Sequence, residues 1–126
     1  MRTILVIDDE KEMRHKFKKI LKSAGFDVLE APDALEVANI LMRDKSRIDL
    51  ILLDIQIPEV DGRDIFGIID EYAPSLDIIV TSVFPVSEQK FRIPKAVDYF
   101  NKADGEKVLL NKVKTALGLM DINVKT

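Results

Sequence analysis

The sequence predicts an α/β domain: a doubly wound, five-stranded parallel sheet with five helices, arranged as a three-layer sandwich. Two observations lead to this prediction. Short apolar runs alternate with amphipathic stretches along the chain, which is the pattern of successive strand–helix units. At 126 residues, of which 47% are hydrophobic and 33% charged, the chain also has the size and balance of a single globular domain with its own core.

The predicted strands are five short runs rich in aliphatic residues. Each is four or five residues long, within the ordinary range for a strand. In chain order they are Thr3 to Ile7, Asp27 to Glu30, Leu50 to Leu53, Ile78 to Thr81 and Val97 to Phe100.

The predicted helices follow from apolar residues at helical spacing and from residues that start or stop a helix. Leu35 in the second helix and Val108 in the last are among the side chains expected to be buried. Only a short helix fits between Phe84 and Pro94. The other four are predicted from about Lys11 to Ala24 before Gly25, from the N-cap Asp33 onward, from about Arg63 to Tyr72, and from Asp104 to Leu117.

The composition narrows the class of protein. The formal net charge of −3 argues against direct contact with nucleic acid, because DNA-binding domains usually carry a basic excess. The absence of cysteine excludes a disulfide framework and a thiolate metal site. No segment has the length of a transmembrane helix, and Met1-Arg2-Thr3 leads into a strand without a signal-peptide pattern. We therefore expect a cytoplasmic protein that makes no membrane contact.

Three carboxylates stand at the carboxyl ends of two predicted strands. Asp8 and Asp9 follow Ile7, and Asp54 follows Leu53. Open parallel sheets bind ligands beyond these ends, where the strand order reverses, so the three side chains are expected to meet at one edge. Crowded carboxylates raise each other's pKa unless a cation lies between them. A divalent ion that prefers oxygen ligands, such as Mg²⁺, meets this need and brings phosphate chemistry with it.

Together these features resemble the receiver domain of two-component response regulators, over about Ile4 to Leu117. We therefore predict a receiver domain at residues 4–118 and a C-terminal tail at 119–126, compatible with the start of a linker. The resemblance implies a flavodoxin-like strand order, 2-1-3-4-5. The features that carry it are the acidic pair Asp8-Asp9, Asp54 with Pro58 and Gly62 at the family's spacing, a hydroxyl ending the fourth strand, and Lys102 after the fifth.

The resemblance implies a role for each site residue. Asp54 is the phosphoacceptor, which takes a phosphoryl group from a sensor histidine kinase or a histidine phosphotransfer domain. Asp8, Asp9 and Asp54, with the main-chain carbonyl of Gln56, are the implied ligands of Mg²⁺. Lys102 is the point charge that binds a phosphoryl oxygen. Such a protein is a signalling domain that promotes its own phosphotransfer and dephosphorylation, and it is not an enzyme acting on a separate substrate.

Two further residues are implied to act as switches. Because neighbouring strand residues face opposite sides, only one of Thr81 and Ser82 can point at the phosphate, and the family pattern favours Ser82. Tyr99, three residues before Lys102, matches the aromatic switch position. Phosphorylation is expected to move both switch side chains and to alter the surface around the fourth helix and fifth strand, which an output domain or downstream protein would contact. Gln56 and Phe84 are expected to set the phosphate lifetime.

The sequence departs from the family pattern in three places. Val83 stands where a small residue usually follows the hydroxyl, Ala103 replaces a usual proline, and the fourth helix is unusually short.

Two rival functions remain open. One rival is a receiver-shaped binding module that is not phosphorylated in its normal role. The other is a magnesium-dependent phosphohydrolase or topoisomerase-primase-like domain, which is disfavoured because such families use Asp-x-Asp where this chain has Asp54-Ile55-Gln56.

Overall fold

The computed structural model describes residues 1–56 and 62–119, in which five strands alternate with five α-helices. The strands are β1 (Thr3–Ile7), β2 (Asp27–Ala31), β3 (Leu50–Asp54), β4 (Asp77–Ser82) and β5 (Asp98–Asn101). The helices are α1 (Lys11–Ser23), α2 (Ala34–Asp44), α3 (Gly62–Tyr72), α4 (Val86–Arg92) and α5 (Glu106–Ala116).

All the strands are parallel and pair in the order β2-β1-β3-β4-β5. This confirms the predicted doubly wound fold. The strand order reverses between β1 and β3, where Ile7 pairs with Leu53. Farther along, Asp54 at the end of β3 pairs with Thr81 of β4. The carboxyl ends of β1 and β3 therefore flank the crevice in which this type of sheet binds ligands.

The sheet buries both faces, and strand residues alternate between them. One face, here called the α1/α5 face, packs on α1 and α5; it carries Ile4, Val6, Leu50, Leu52, Ile79 and Phe100. The opposite α2/α3 face packs on α2 and α3; it carries Leu5, Ile7, Ile51, Leu53, Val80 and Tyr99. Burying each such aliphatic side chain contributes about 1.5–3 kcal/mol, so a shift of strand register by one residue would be costly.

Local signals set several of the helix boundaries. Gly25, just past α1, has a φ of 95°, a left-handed conformation that glycine adopts without a Cβ penalty. Asp33 is the N-cap of α2, and its side chain accepts a hydrogen bond of 2.9 Å from the backbone N–H of Glu36. Both residues had been predicted to act at these ends.

The predicted start of the last helix at Asp104 is wrong. Lys102–Asp104 form a 3₁₀ turn, and α5 begins at Glu106 after Gly105, whose φ is 87°. The Asn101 side chain accepts a hydrogen bond from the backbone N–H of Ala103 and so stabilises this turn. Because of this turn, the helix begins later than predicted, and Lys102 directly follows the carboxyl end of β5.

Two side chains predicted to be buried are exposed. Leu35 in α2 is 72% exposed and Val108 in α5 is 37% exposed. Each helix packs on the sheet through a narrow stripe, formed in α2 by Val37, Ile40 and Leu41. Leu35 and Val108 lie outside such stripes, because the apolar residues of these helices cover a wider arc than the part that meets the sheet.

Helix α4 is short, as predicted, and unusual in what it buries. Its fully buried side chain is the polar Gln89, whereas Phe91 is 84% exposed. None of the helices in the described ranges is long and apolar enough to cross a membrane.

Candidate functional site

Three charged side chains meet beyond the carboxyl ends of β1, β3 and β5. Asp8 follows β1, Asp54 is the last residue of β3, and Lys102 follows β5. The Lys102 ammonium lies 2.8 Å from Asp8 Oδ2 and 3.4 Å from Asp54 Oδ2. The structure therefore brings together residues that are 94 positions apart in the sequence, at the edge where the strand order reverses.

The three side chains are almost fully buried. The Asp8, Asp54 and Lys102 side chains are only 1%, 2% and 7% exposed. Buried ions of like sign repel strongly, and the Lys102 cation between the two carboxylates offsets that repulsion. The site is thus an electrostatic triad of two anions and one cation.

Burial is the main influence on the Asp54 carboxylate. It raises the pKa of Asp54 to about 6, against the opposing effects of the Lys102 charge and of a backbone hydrogen bond from Gln56. The Asp8 charge adds to the rise. Near neutral pH, Asp54 is therefore an ionised, poorly solvated carboxylate, which makes it a more basic oxygen nucleophile than an exposed aspartate.

The Lys102 ammonium remains charged in this setting. Burial alone would lower its pKa, but the hydrogen bond to Asp8 and the charges of Asp54 and Asp8 outweigh it, so the pKa of Lys102 is raised. A lysine held in this way is a fixed positive charge at the strand ends. Such a charge is suited to an anionic phosphoryl group.

An acidic cluster lies on the β1–α1 loop beside the triad. Asp8, Asp9 and Glu10 offer carboxylate oxygens within 4.8 Å of one another. The backbone N–H of Glu10 donates a 3.0 Å hydrogen bond to Asp8 Oδ1. An all-oxygen donor set beside a buried carboxylate fits Mg²⁺. Sequence analysis had singled out Asp8 and Asp9 but missed Glu10, whose place directly after the pair was the available signal.

A second unpredicted residue holds this loop. The Arg14 side chain of α1 donates a 2.8 Å hydrogen bond to the main-chain oxygen of Asp8. Its guanidinium also pairs with Glu30 at 3.3 Å, with the Arg14 side chain 14% exposed. Arg14 thereby fixes the backbone of the loop that presents the acidic cluster.

Thr81 and Ser82 are both buried and lie on opposite faces of β4. Thr81 pairs with Asp54 in register and follows Ile79 at an interval of two, which places it on the α1/α5 face with Asp54. Ser82 follows Val80 on the α2/α3 face. The Ser82 hydroxyl donates a 3.1 Å hydrogen bond to Gln56 Oε1 and accepts one of 3.1 Å from the backbone N–H of Phe84.

Gln56 contacts the site through its backbone. Its N–H donates a 2.9 Å hydrogen bond to Asp54 Oδ1. Phe84, on the β4–α4 loop, stacks under the Arg92 guanidinium at 4.4 Å from the ring centroid. Of the other residues in the predicted motif, Pro58 lies outside the described residues, and Gly62 begins α3.

Tyr99 in β5 is buried, and its hydroxyl donates a hydrogen bond to the main-chain oxygen of Ile93 at the end of α4. Burial raises the pKa of the Tyr99 phenol, which keeps it a neutral donor. The predicted aromatic switch residue therefore connects β5 to α4. It lies on the α2/α3 face, away from the charged triad.

Comparison with known proteins decides the family. Residues 4–114 match the family model described as the response regulator receiver domain. The chain belongs to this family. The receiver fold and the predicted strand order are thereby confirmed, and the triad and acidic cluster occupy the edge of the sheet where this fold binds ligands.

Several relatives resemble this receiver domain. The probable transcriptional regulator ycf27 of Porphyridium aerugineum is 30% identical over 94% of this chain and 49% of its own length. The chain thus spans about half the length of that relative. Chemotaxis protein CheY of Listeria monocytogenes is 35% identical over 65% of this chain and 68% of its own.

One solved structure with a similar fold is a complex with bound ligands. It is the response regulator protein TrrA of Thermotoga maritima in complex with Mg²⁺-BeF. It superposes with a TM-score of 0.79 and 29% identity over 93% of this chain and 100% of its own.

The structure shows where the three predicted departures from the family pattern lie. Val83 lies on the surface after β4, with 62% of its side chain exposed. The turn that contains Ala103 leads from Lys102 into α5. The short α4 packs on β5 through a polar side chain.

Proposed function

We propose that this receiver domain accepts a phosphoryl group on Asp54 from the phosphohistidine of a sensor histidine kinase or a histidine phosphotransfer domain. The observation that carries the proposal is the buried triad, in which Lys102 stands between Asp54 and Asp8. An unpaired buried lysine or carboxylate would be costly, and a purely structural core would be at least as stable with apolar residues here. A phosphoryl acceptor, by contrast, needs this carboxylate and this cation together.

The proposed step needs no reactant besides the phosphohistidine and a proton from solvent. A carboxylate oxygen of Asp54 attacks the phosphorus, and the new O–P bond forms as the P–N bond of the phosphohistidine breaks. The imidazole leaves with the electron pair and takes up a proton from solvent. Asp54 becomes an acyl phosphate, and the Lys102 ammonium compensates charge on the phosphoryl oxygens.

Mg²⁺ is the proposed cofactor. Asp8, Asp9 and Asp54, with the main-chain carbonyl of Gln56, are the proposed ligands, and Glu10 lies close enough to add an oxygen. When bound, the ion supplies Lewis-acid compensation of phosphate charge. The Mg²⁺-BeF complex of the related TrrA supports this choice of metal.

We propose Thr81 as the hydroxyl that faces the phosphoryl group, in place of Ser82. The support is the register of β4, in which Thr81 is the direct partner of Asp54, whereas the Ser82 hydroxyl bonds to Gln56 and Phe84. Tyr99 is the proposed aromatic switch because its hydroxyl holds the end of α4. Movement of these side chains would change the α4–β5 surface that a downstream protein or output domain contacts.

The wider setting is also part of the proposal. The domain would act in the cytoplasm, with the receiver at residues 4–118 and a tail beyond it. A relative named as a transcriptional regulator is about twice as long as this chain, which is consistent with an output domain in a longer protein. Such an output domain, and not the receiver, would make any contact with DNA.

The test is ³¹P NMR of the protein incubated with Mg²⁺ and acetyl phosphate, a small phosphodonor. We expect one protein-bound resonance that hydroxylamine removes, as it does for an acyl phosphate. The Asp54→Asn variant should lack it. A resonance that persists in the variant would overturn the assignment of Asp54, and no resonance in the parent would favour the unphosphorylated binding module.

A further inference from the structure

Gln89 is the buried polar side chain through which α4 packs on the rest of the domain. It is 0% exposed. Its Nε2 donates hydrogen bonds of 2.8 Å to the main-chain oxygen of Phe84 and of 3.0 Å to that of Phe100. One amide group therefore joins three elements: α4, the β4–α4 loop and β5.

The other end of this amide is unsatisfied. Among the described residues, no donor reaches Gln89 Oε1, although the atom is buried. A buried acceptor without a partner costs free energy, and natural proteins keep few of them. The cost is offset because the Gln89 amide donates to two main-chain oxygens, those of Phe84 and Phe100. Within Val86–Arg92 the buried contact of α4 is therefore polar, and the apolar core is contacted only by Ile93 at the end of the helix.

Gln89 is also the end of a hydrogen-bond chain that begins at Asp54. The Gln56 N–H donates to Asp54 Oδ1, and Gln56 Oε1 accepts from the Ser82 hydroxyl. The Ser82 oxygen in turn accepts from the Phe84 N–H. Gln89 then donates to the Phe84 oxygen. Each link measures 3.1 Å or less.

We propose that Gln89 is the positioning residue through which the state of the Asp54 carboxylate reaches α4 and β5, by way of Gln56, Ser82 and Phe84. This inference rests on the proposed phosphoacceptor function. Conversion of Asp54 to an acyl phosphate moves the negative charge onto the phosphoryl oxygens and leaves a neutral carbonyl oxygen, which is a weaker acceptor for the Gln56 N–H than a carboxylate oxygen. The links are joined covalently through the Gln56 side chain and the Phe84 backbone, so a displacement of Gln56 at the first link changes the geometry of the last. The unpartnered Gln89 Oε1 disfavours the present position of α4 and so lowers the free energy needed to move the helix to the second position that coupling requires.

The experiment uses the amide NMR spectrum of the full chain, with and without Mg²⁺ and beryllofluoride as the phosphoryl mimic. In the parent, we expect shift changes both at the site, in 54–56 and Lys102, and in α4 and Phe100. Gln89→Met keeps the length of the side chain but cannot donate hydrogen bonds. This variant should retain the changes at the site and lose those in α4 and Phe100. Its phosphorylation by acetyl phosphate should be unchanged, because Gln89 touches no reacting atom.

Two further variants make the test specific. Gln56→Met breaks the chain at an exposed residue, so the domain will fold, and it should also lose the α4 response. Ile93→Val alters buried packing at the end of α4 but leaves the chain intact, and it should keep the response. An α4 response that survives in either Gln89→Met or Gln56→Met would overturn the inference while the site response stands. Absence of any site response in the parent would overturn the proposed function, and this inference with it.

Discussion

The Lys102 ammonium lies closer to Asp8, at 2.8 Å, than to Asp54, at 3.4 Å. The lysine is thus anchored on Asp8, the first carboxylate of the acidic cluster, and it also contacts the proposed nucleophile. Asp54 keeps a hydrogen bond to Oδ1 from the Gln56 N–H and a longer ion pair at Oδ2. Because of this asymmetry, the negative charge of Asp54 is less well compensated by Lys102 than that of Asp8.

Removal of the Asp54 charge is expected to stabilise the protein in metal-free buffer above pH 6. The raised pKa, about 6 against an ordinary 3.8, means that the folded state binds the proton more tightly than the unfolded state. Stability is therefore lost as pH rises from about 4 to 6, by about 2–3 kcal/mol in total. Asp54→Asn avoids this loss. Its free energy of unfolding should exceed that of the parent by a margin that grows from pH 4.5 to pH 7.5.

Urea denaturation in EDTA at several pH values measures this margin. Asp77→Asn, which removes an exposed carboxylate at the start of β4, is the matched control and should show no such growth. An Asp54→Asn margin that does not change with pH would contradict the account of the buried carboxylate.

Removal of the Lys102 cation is expected to have the opposite effect. Lys102→Met leaves two buried carboxylates without their cation, and breaking a buried ion pair in this way costs about 3–5 kcal/mol. Lowering the pH should recover part of the loss, because protonation removes the uncompensated charge. Adding Asp54→Asn should also recover part of it at pH 7.5. If the effects of the two single substitutions on the free energy of unfolding simply added, so that Asp54→Asn stabilised the Lys102→Met variant by no more than it stabilises the parent, Asp54 and Lys102 would not be coupled.

The two hydroxyls at the end of β4 should differ in their effect on phosphorylation. Thr81 is the register partner of Asp54, so Thr81→Ala should slow phosphorylation by acetyl phosphate by about tenfold or more. Ser82→Ala should slow it less, since the Ser82 hydroxyl bonds to Gln56 and Phe84. The measurement is the rate at which the parent, Thr81→Ala and Ser82→Ala each form phosphoprotein. A larger loss in Ser82→Ala would restore Ser82 to the role that the sequence pattern suggested.

Gln56 and Phe84 should influence the lifetime of the acyl phosphate. Changing Gln56 to Ala removes a side chain, two residues beyond Asp54, that bonds to the Ser82 hydroxyl, which should alter the placing of the hydrolytic water. We expect a change in dephosphorylation rate of between about 2-fold and 100-fold, with phosphorylation retained. Phe84→Leu should have a smaller effect of the same kind. Dephosphorylation rates equal to the parent's in both variants would remove these residues from the account.

The sheet and the charged triad could be predicted because both are written locally in the sequence. Apolar runs mark the strands, and Asp54 and Lys102 stand within one residue of a strand end. In a parallel sheet these ends share one edge, so residues far apart in the chain meet without further information. Lys102 is assigned to the site through the family resemblance, and its contacts with both carboxylates are seen only in the structure.

Other features depend on single-residue register or on tertiary contacts. A shift of the β4 register by one residue would exchange the faces on which Thr81 and Ser82 lie, and sequence alone does not fix that register. Gln89 resembles any polar residue on a short helix, since its partners are main-chain oxygens of Phe84 and Phe100 that no sequence pattern reveals. Leu35 looked like a core residue because helical spacing does not show how wide the buried stripe is.

The measurement that tests the central claim most directly is the intact mass of the protein after incubation with Mg²⁺ and acetyl phosphate. We predict the addition of one phosphoryl group to the parent, and none to Asp54→Asn or to the parent in EDTA. Equal addition to the parent and to Asp54→Asn, or no addition to the parent while Mg²⁺ binds, would contradict the claim that Asp54 is the phosphoacceptor.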